Sequence, residues 1–184
     1  MAGTKKKKFV FVCTGNTCRS PMAEMVFRKL VKDLNIKNVT VCSAGIKATV
    51  GSPMNDKSAQ TLINKGIEAV EFSARKVDKR MLKDAFAIVC MTDSQRDLLM
   101  EMRWQAMKGA DVEVVENTVY SFKELAGYEV FDPYGRDMDC YGYVYELIAG
   151  GMHAILDKLL PETIREVKTT ARKPRKKKSA NPHQ

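Results

Sequence analysis

The sequence predicts an α/β domain built as three layers: a four-stranded parallel sheet with helices on both faces and a phosphate loop after the first strand. Three observations carry that expectation. Residues 9–13 (FVFVC) and 85–91 (AFAIVCM) are apolar runs without polar alternation, as expected of strands buried on both faces. Amphipathic stretches separate these runs, the pattern of crossover connections in a parallel sheet. A loop of small and polar residues, TGNT at 14–17, joins the first run to a helical segment opened by Ser20-Pro21.

Each element has a local reason. Ser20 suits an N-cap, Pro21 the first helical position and Glu24 the first turn, where a carboxylate faces the positive end of the dipole. Met22, Met25, Val26, Leu30 and Leu34 then form an apolar stripe at helical spacing. A second strand is expected at 39–44, ended by Gly45. After a polar loop containing Gly51 and Pro53, a helix is expected at 56–65 with Ala59, Leu62 and Ile63 inward and Gly66 as its stop. The third strand, 85–91, leads through Thr92-Asp93-Ser94, a capping sequence, into a helix at 95–107. VEVV at 112–115 reads as the fourth strand, 120–125 as a short element, and 141–160 as a long helix running through Gly150-Gly151. Beyond 162 the periodicity fades. The expected organisation is a basic N-terminal arm (1–8), one domain (9–161) and a basic, disordered tail (162–184).

With 184 residues, 45% hydrophobic and 29% charged, the chain is long enough for one well-filled core. No apolar run approaches the roughly 18–20 residues of a membrane helix. The apolar stretch after the N-terminal lysines is shorter than the about 7–15 residues of a secretory signal, so an intracellular, cytoplasmic protein is expected. The net charge of +9 sits at the ends: residues 5–8 and 158–184 are strongly basic, and the body between them is close to neutral. That argues against a basic nucleic-acid-reading face on the domain and leaves RKPRKKK (172–178) for nonspecific polyanion contact. Five cysteines (13, 18, 42, 90, 140) show neither CxxC nor zinc-ligand spacing, and two histidines cannot build a metal site. Neither metal nor cofactor is expected.

The chemistry concentrates in CTGNTCRS, 13–20. The N–H groups of a loop leading into a helix N-terminus form a concave site for a dianion. Arg19 adds a planar fork of donors matched to phosphate oxygens. The same positive field favours Cys13 as thiolate, the nucleophilic form, and the Ser20 hydroxyl can hydrogen-bond to it. A dianion held above a thiolate is arranged for phosphoryl transfer to sulfur. An acid is also needed to protonate the leaving group. Asp132, Asp137 and Asp139 are all candidates by residue type.

These residues resemble the low-molecular-weight protein tyrosine phosphatase family, whose loop C-x-G-N-x-C-R-S-P stands here as CTGNTCRSP, 13–21. Cys42-Ser43-Ala44-Gly45 is similar to the S-A-G after that family's second strand, and Phe131-Asp132-Pro133-Tyr134 to its late D-P-[YF] motif. The resemblance spans about residues 8–160. It implies Cys13 as nucleophile, Arg19 as phosphate ligand and transition-state stabiliser, and Asp132 as general acid. Thr14, Gly15, Asn16, Thr17 and Cys18 complete the phosphate loop, with Asn16 holding its shape and Ser20 and Ser43 in support. Tyr134 forms one substrate wall. Cys18 corresponds to the family's second loop cysteine, which forms a reversible disulfide with Cys13 under peroxide. Phosphorylated proteins are the implied partners. Phe72 occupies a place where many members carry a histidine that buttresses the loop asparagine.

Two features bear on the substrate. Thr17 replaces the bulkier aliphatic of many tyrosine phosphatases and resembles the bacterial protein-arginine phosphatases, whose loop also reads C-T-G-N-T-C-R-S. A hydroxyl there can pair with a guanidinium N–H that an isoleucine would leave unpaired. Residues 46–55 contain no aromatic to form the second wall for a phosphotyrosyl ring. Phosphotyrosine and phosphoarginine both stand as expected substrates. Arsenate reductase chemistry would need further relay cysteines near Cys90 that the chain lacks. A phosphoprotein-binding module without catalysis would not need both Cys13 and Asp132.

Overall fold

In the computed structural model, which describes residues 6–69, 71–108 and 118–171, the chain opens with β1 (Lys7–Cys13) and α1 (Arg19–Asp33). There follow β2 (Val39–Gly45), α2 (Asp56–Asn64), α3 (Lys79–Asp84), β3 (Ala87–Cys90) and α4 (Asp93–Met107). The chain then forms β4 (Val119–Ser121), α5 (Phe122–Ala126), α6 (Met138–Leu159) and α7 (Pro161–Ala171). The four strands are parallel, in the order β2-β1-β3-β4. The expected four-stranded, three-layer architecture is the one found.

Strand β1 lies inside the sheet and shows why its sequence does not alternate in polarity. Phe9, Phe11 and Cys13 face one core with Met22, Phe27, Tyr141 and Ile148, beneath α1 and α6. Val10 and Val12 face the other core with Ile88, Cys90 and Leu99, beneath α3 and α4. Phe27 stands with ring centroids 4.8 Å from Phe9 and 5.3 Å from Phe11. Burying each of these rings is worth roughly 1.5–3 kcal/mol. From β1 the chain crosses to β2 on one side and later to β3 on the other. The carboxyl end of β1 is therefore the topological switch point, where open α/β sheets place their ligands.

Several local expectations are corrected. Helix α1 begins at Arg19 with Cys18 as its N-cap and no side-chain capping bond; Ser20 turns its hydroxyl inward instead. Glu24 lies past the first turn and is 2% exposed, so it serves no dipole at the surface. In α2, Leu62 is buried but Ile63 is 55% exposed, its inward place taken by Ser58 and Thr61. The run 112–115 lies outside the described residues, and the fourth strand is Val119–Ser121, within reach of the segment read as a short element. Lys7 and Lys8, assigned to the arm, belong to β1 and pair in register with Val39 and Thr40. The chain does not lose helical structure at 162. Helix α7 continues to Ala171 because Ile164 is buried and Val167 packs on the same core, one turn apart. The 172–178 run lies outside the described residues.

The two glycines of the long helix differ from a third in their surroundings. A Cβ on Gly151 would fall 2.3 Å from Cε1 of Phe122, a ring with no exposure, so this glycine lets α5 and α6 approach. A Cβ on Gly142 meets open space. Gly151→Ala is expected to cost about 1–3 kcal/mol through overpacking, whereas Gly142→Ala is expected to gain about 0.5–1 kcal/mol from helix propensity. Urea unfolding of both variants checks the contrast, and equal effects would mean that the close approach is not real.

Candidate active site

At the switch point the chain turns from β1 through residues 14–18 into α1, and the loop wraps around its own nucleophile candidate. The Asn16 amide donates to Cys13 Sγ at 3.3 Å, and Ser20 Oγ lies 3.0 Å from the same sulfur. The amides of Gly15, Thr17 and Cys18 have no acceptor among the described residues, leaving donors around the sulfur for an anion. Cys13 itself is 2% exposed.

Asn16 sets this geometry. Its backbone is left-handed, φ 56°, a conformation that asparagine tolerates better than most residues. Its side chain has no exposure and uses both amide hydrogens and its oxygen locally. Nδ2 donates to Ser20 Oγ (2.9 Å) and to Ser43 Oγ (3.0 Å), and Oδ1 accepts from the Arg75 amide (2.8 Å). Ser43 in turn donates to Glu24 Oε2 at 2.7 Å. The buried Glu24 carboxylate also meets Arg28 at 2.5 Å and Arg75 at 3.5 Å. Asn16 is thus buttressed without a histidine. Phe72 packs against the core instead, and the polar partners come from Ser20, Ser43 and the Arg75 backbone.

The loop is pressed from below by β2. A Cβ on Gly45 would lie 2.7 Å from the Thr14 carbonyl oxygen and 2.8 Å from the Asn16 nitrogen, so only glycine fits. The following amides of Ile46 and Lys47 donate to the Cys13 and Thr14 carbonyls. On the other side Gln95 is mostly buried. It donates to Thr14 Oγ1 at 3.1 Å and accepts from the Met91 amide at 3.1 Å.

Arg19 and Asp132 close the site. The Arg19 side chain is 5% exposed; Nη1 donates to the Val130 carbonyl (3.2 Å) and Nη2 to Asp132 Oδ2 (2.5 Å). Its Nε is buried with no partner among the described residues, a guanidinium donor still to be satisfied. Asp132, 48% exposed, accepts from the Tyr134 amide through Oδ1 at 3.2 Å. Asp137 is the N-cap of α6, accepting from the Cys140 amide, and Asp139 lies in that helix's first turn. Of the three aspartates, Asp132 is the one brought to Arg19. Tyr134 is 73% exposed beside it, open to an incoming group.

The remaining predicted residues occupy the loop's outer bend. Thr17 is half-buried, its carbonyl accepting from the Asn55 amide and its hydroxyl 3.7 Å from Cys18 Sγ. Cys18 Sγ also lies 3.6 Å from the Tyr141 hydroxyl; burial, with that thiol beside it, pushes the Tyr141 phenol up. All five cysteines are free. Burial pushes the thiols of Cys42 and Cys90 up as well, which keeps them protonated and poor nucleophiles. Sequence reasoning missed Glu24's inward role, Arg75, Gln95 and Tyr141. Their site partners lie 19 to 123 residues away in the chain, beyond the reach of a local signal.

A cysteine beneath a loop of open amides is an arrangement able to take a phosphoryl group, and the protein is of the cysteine phosphatase class. The model of the low molecular weight phosphotyrosine protein phosphatase family matches residues 8–168. The human low molecular weight phosphotyrosine protein phosphatase is 34% identical over 162 residues, covering 86% of this chain and 99% of that one. The protein-arginine-phosphatase of Geobacillus stearothermophilus is 30% identical over 152 residues, covering 83% and 93%. Among solved structures, the low molecular weight protein tyrosine phosphatase from T. tengcongensis aligns at 31% identity and a TM-score of 0.72, covering 83% of this chain and 99% of that one. The chain belongs to the low molecular weight phosphotyrosine protein phosphatase family, and it is a hydrolase acting through cysteine.

Asn16→Gly keeps the left-handed backbone but removes the side chain, whereas Asn16→Ala loses both. If the side-chain bonds hold the loop, both variants should lose roughly 10- to 100-fold in kcat/KM, since buried partners are left unpaired. Full activity in Asn16→Gly would assign the residue's role to its backbone alone.

Proposed function

We propose that the protein removes phosphoryl groups from phosphorylated protein side chains through a phosphocysteine at Cys13. The observation that carries this is the Cys13 sulfur held by the Asn16 amide and the Ser20 hydroxyl, at the foot of a loop whose other amides and Arg19 Nε lack partners. The substrate's phosphoryl oxygens would take those donors. Their charge would compete for Arg19 Nη2, freeing Asp132 from its ion pair. Cys13 Sγ attacks phosphorus, the bond from phosphorus to the substrate's oxygen or nitrogen breaks, and Asp132, which takes a proton from solvent once Arg19 has released it, gives that proton to the leaving group. The ionised Asp132 then takes a proton from water, whose oxygen attacks phosphorus. The S–P bond breaks, and the thiolate and inorganic phosphate are regenerated.

Arg19 acts in this scheme as transition-state clamp, and Tyr134 as the exposed wall against which the substrate side chain lies. Reduced cysteines fit a cytoplasmic setting. The basic run at 172–178 adds a nonspecific polyanion contact, read as steep salt dependence of binding. Cys13→Ser should abolish turnover. Asp132→Ala should lose about 100-fold or more on alkyl or unactivated aryl phosphates and far less on p-nitrophenyl phosphate, whose leaving group needs no proton. Equal losses on both would remove Asp132 from the acid role.

A second reading, preference for phosphoarginine, is favoured by one observation: Thr17 stands half-buried on the phosphate loop, its hydroxyl 3.7 Å from Cys18 Sγ, and supplies an oxygen that can pair with a guanidinium N–H. The comparison of kcat/KM on matched phosphoarginine and phosphotyrosine peptides decides it. A phosphoarginine preference reversed by Thr17→Ile makes Thr17 the selector, whereas a phosphotyrosine preference insensitive to that change makes the protein a tyrosine phosphatase.

A further inference from the structure

The end of the sheet opposite the Cys13 loop carries a cavity of about 600 Å³. It is assembled from four places in the chain: the amino end of β1, the α3–β3 junction, the start of β4 and the carboxyl end of α6. At about 3.3 Å per residue, the seven residues of β1 put roughly 20 Å between it and Cys13. A ligand here would not touch the phosphate loop.

Four lysines, Lys6, Lys7, Lys83 and Lys158, line this cavity against a single carboxylate, Asp84; Lys158 Nζ donates to the Glu124 carbonyl at 2.8 Å, which leaves its charge unneutralised. Asp84 is already paired with Arg80 at 3.6 Å. None of the four lysines has a carboxylate partner among the described residues. Lys83 and Lys158 lie in the last turns of α3 and α6, where they oppose the negative helix ends. Each helix end supplies only about half a charge, so the four lysines, one carboxylate and two helix ends leave an excess of about two positive charges. The wall between the lysines is not polar throughout. The Phe86 ring lines it, with Lys7 Nζ 4.9 Å from its centroid, and Tyr120 lines it from β4. Thr118, beside them, has a buried hydroxyl without a partner among the described residues.

We infer that this cavity binds a phosphorylated ligand carrying a planar ring, of the size and charge of a nucleoside diphosphate. The ammonium groups would neutralise the phosphates and the ring would lie against Phe86 and Tyr120. Cavities of about 300–1,000 Å³ with a few placed polar groups are the usual size for such ligands. The fold thus gathers Lys6 and Lys7 from one basic end and Lys158 from the other beside Lys83, concentrating into one site charge that the sequence spreads over both ends.

The test is calorimetric titration of the full chain at low salt with ADP and, separately, with pyrophosphate. ADP should bind at least ten-fold more tightly than pyrophosphate, and Cys13→Ser should bind it equally well. Lys83→Glu/Lys158→Glu, two exposed positions, should weaken ADP at least ten-fold while leaving kcat/KM on p-nitrophenyl phosphate unchanged. Phe86→Leu should weaken ADP but not pyrophosphate, a split that a diffuse positive field would not give. Unchanged ADP affinity in the double variant would overturn the inference. So would ADP and pyrophosphate of equal affinity. Binding that survives the double substitution but disappears on deletion of residues 172–184 would place the ADP on the basic tail and would also overturn it.

Discussion

The bonds made by the Asn16 side chain are the constraint on which the rest of the site depends. Three separate stretches of chain meet there: the helix start through Ser20, the second strand through Ser43, and the segment after α2 through the Arg75 amide. The bonds to Ser20 and Ser43 are buried and the one from Arg75 is partly so, so breaking either of the first two carries the full penalty of an unpaired polar group. A loop of five residues between a strand and a helix would otherwise sample many conformations. Held this way, it keeps its amides turned toward Cys13 before any substrate arrives, and no reorganisation is then required at the moment of reaction.

The buttress extends one layer further, to a buried charge. Glu24 would be costly alone beneath the loop. Arg28 and Arg75 offset its charge, and Ser43 passes its hydrogen bond on to Asn16. Removing the carboxylate's partners would leave a buried charge, and removing the carboxylate would leave Ser43 without its acceptor. With phenylalanine at position 72, Asn16 is held by Ser20, Ser43 and the Arg75 backbone amide, and Glu24 with its two guanidinium partners stands behind Ser43.

What the sequence revealed and what it hid divide along a physical line. The nucleophile loop was legible because its residues are contiguous and each has a local reason to be there: glycine, asparagine, then arginine at a helix start. Strands β1 and β3 were legible because burial on two faces removes polar alternation. Glu24 was read as a dipole-compensating acid, since its partner Ser43 is 19 residues away and no local rule points to it. Gln95 looked like one more polar helical residue until the fold brought it to Thr14. Helix α7 hid because only Ile164 and Val167 mark its inner face among charged neighbours. Ile63 was misplaced because small polar side chains, Ser58 and Thr61, took the inward positions.

In the reaction proposed above, the ion pair between Arg19 and Asp132 would join binding to chemistry. With Arg19 Nη2 on its Oδ2, Asp132 is occupied as an acceptor and is turned toward the guanidinium rather than toward a leaving group. A phosphoryl dianion offers Arg19 a better partner, because its oxygens match both nitrogens of the planar fork and it carries more charge. The same event that seats the phosphate thus releases the aspartate, already kept next to the site by the Tyr134 amide and the Pro133 turn. Substrate charge then does what a fixed acid could not: it frees the proton donor only when there is something to protonate. The 48% exposure of Asp132 lets solvent supply that proton once the guanidinium has let go. The site holds its binding group rigidly and its acid loosely, and that difference in burial between Arg19 and Asp132 is what allows one residue to bind while the other changes protonation state.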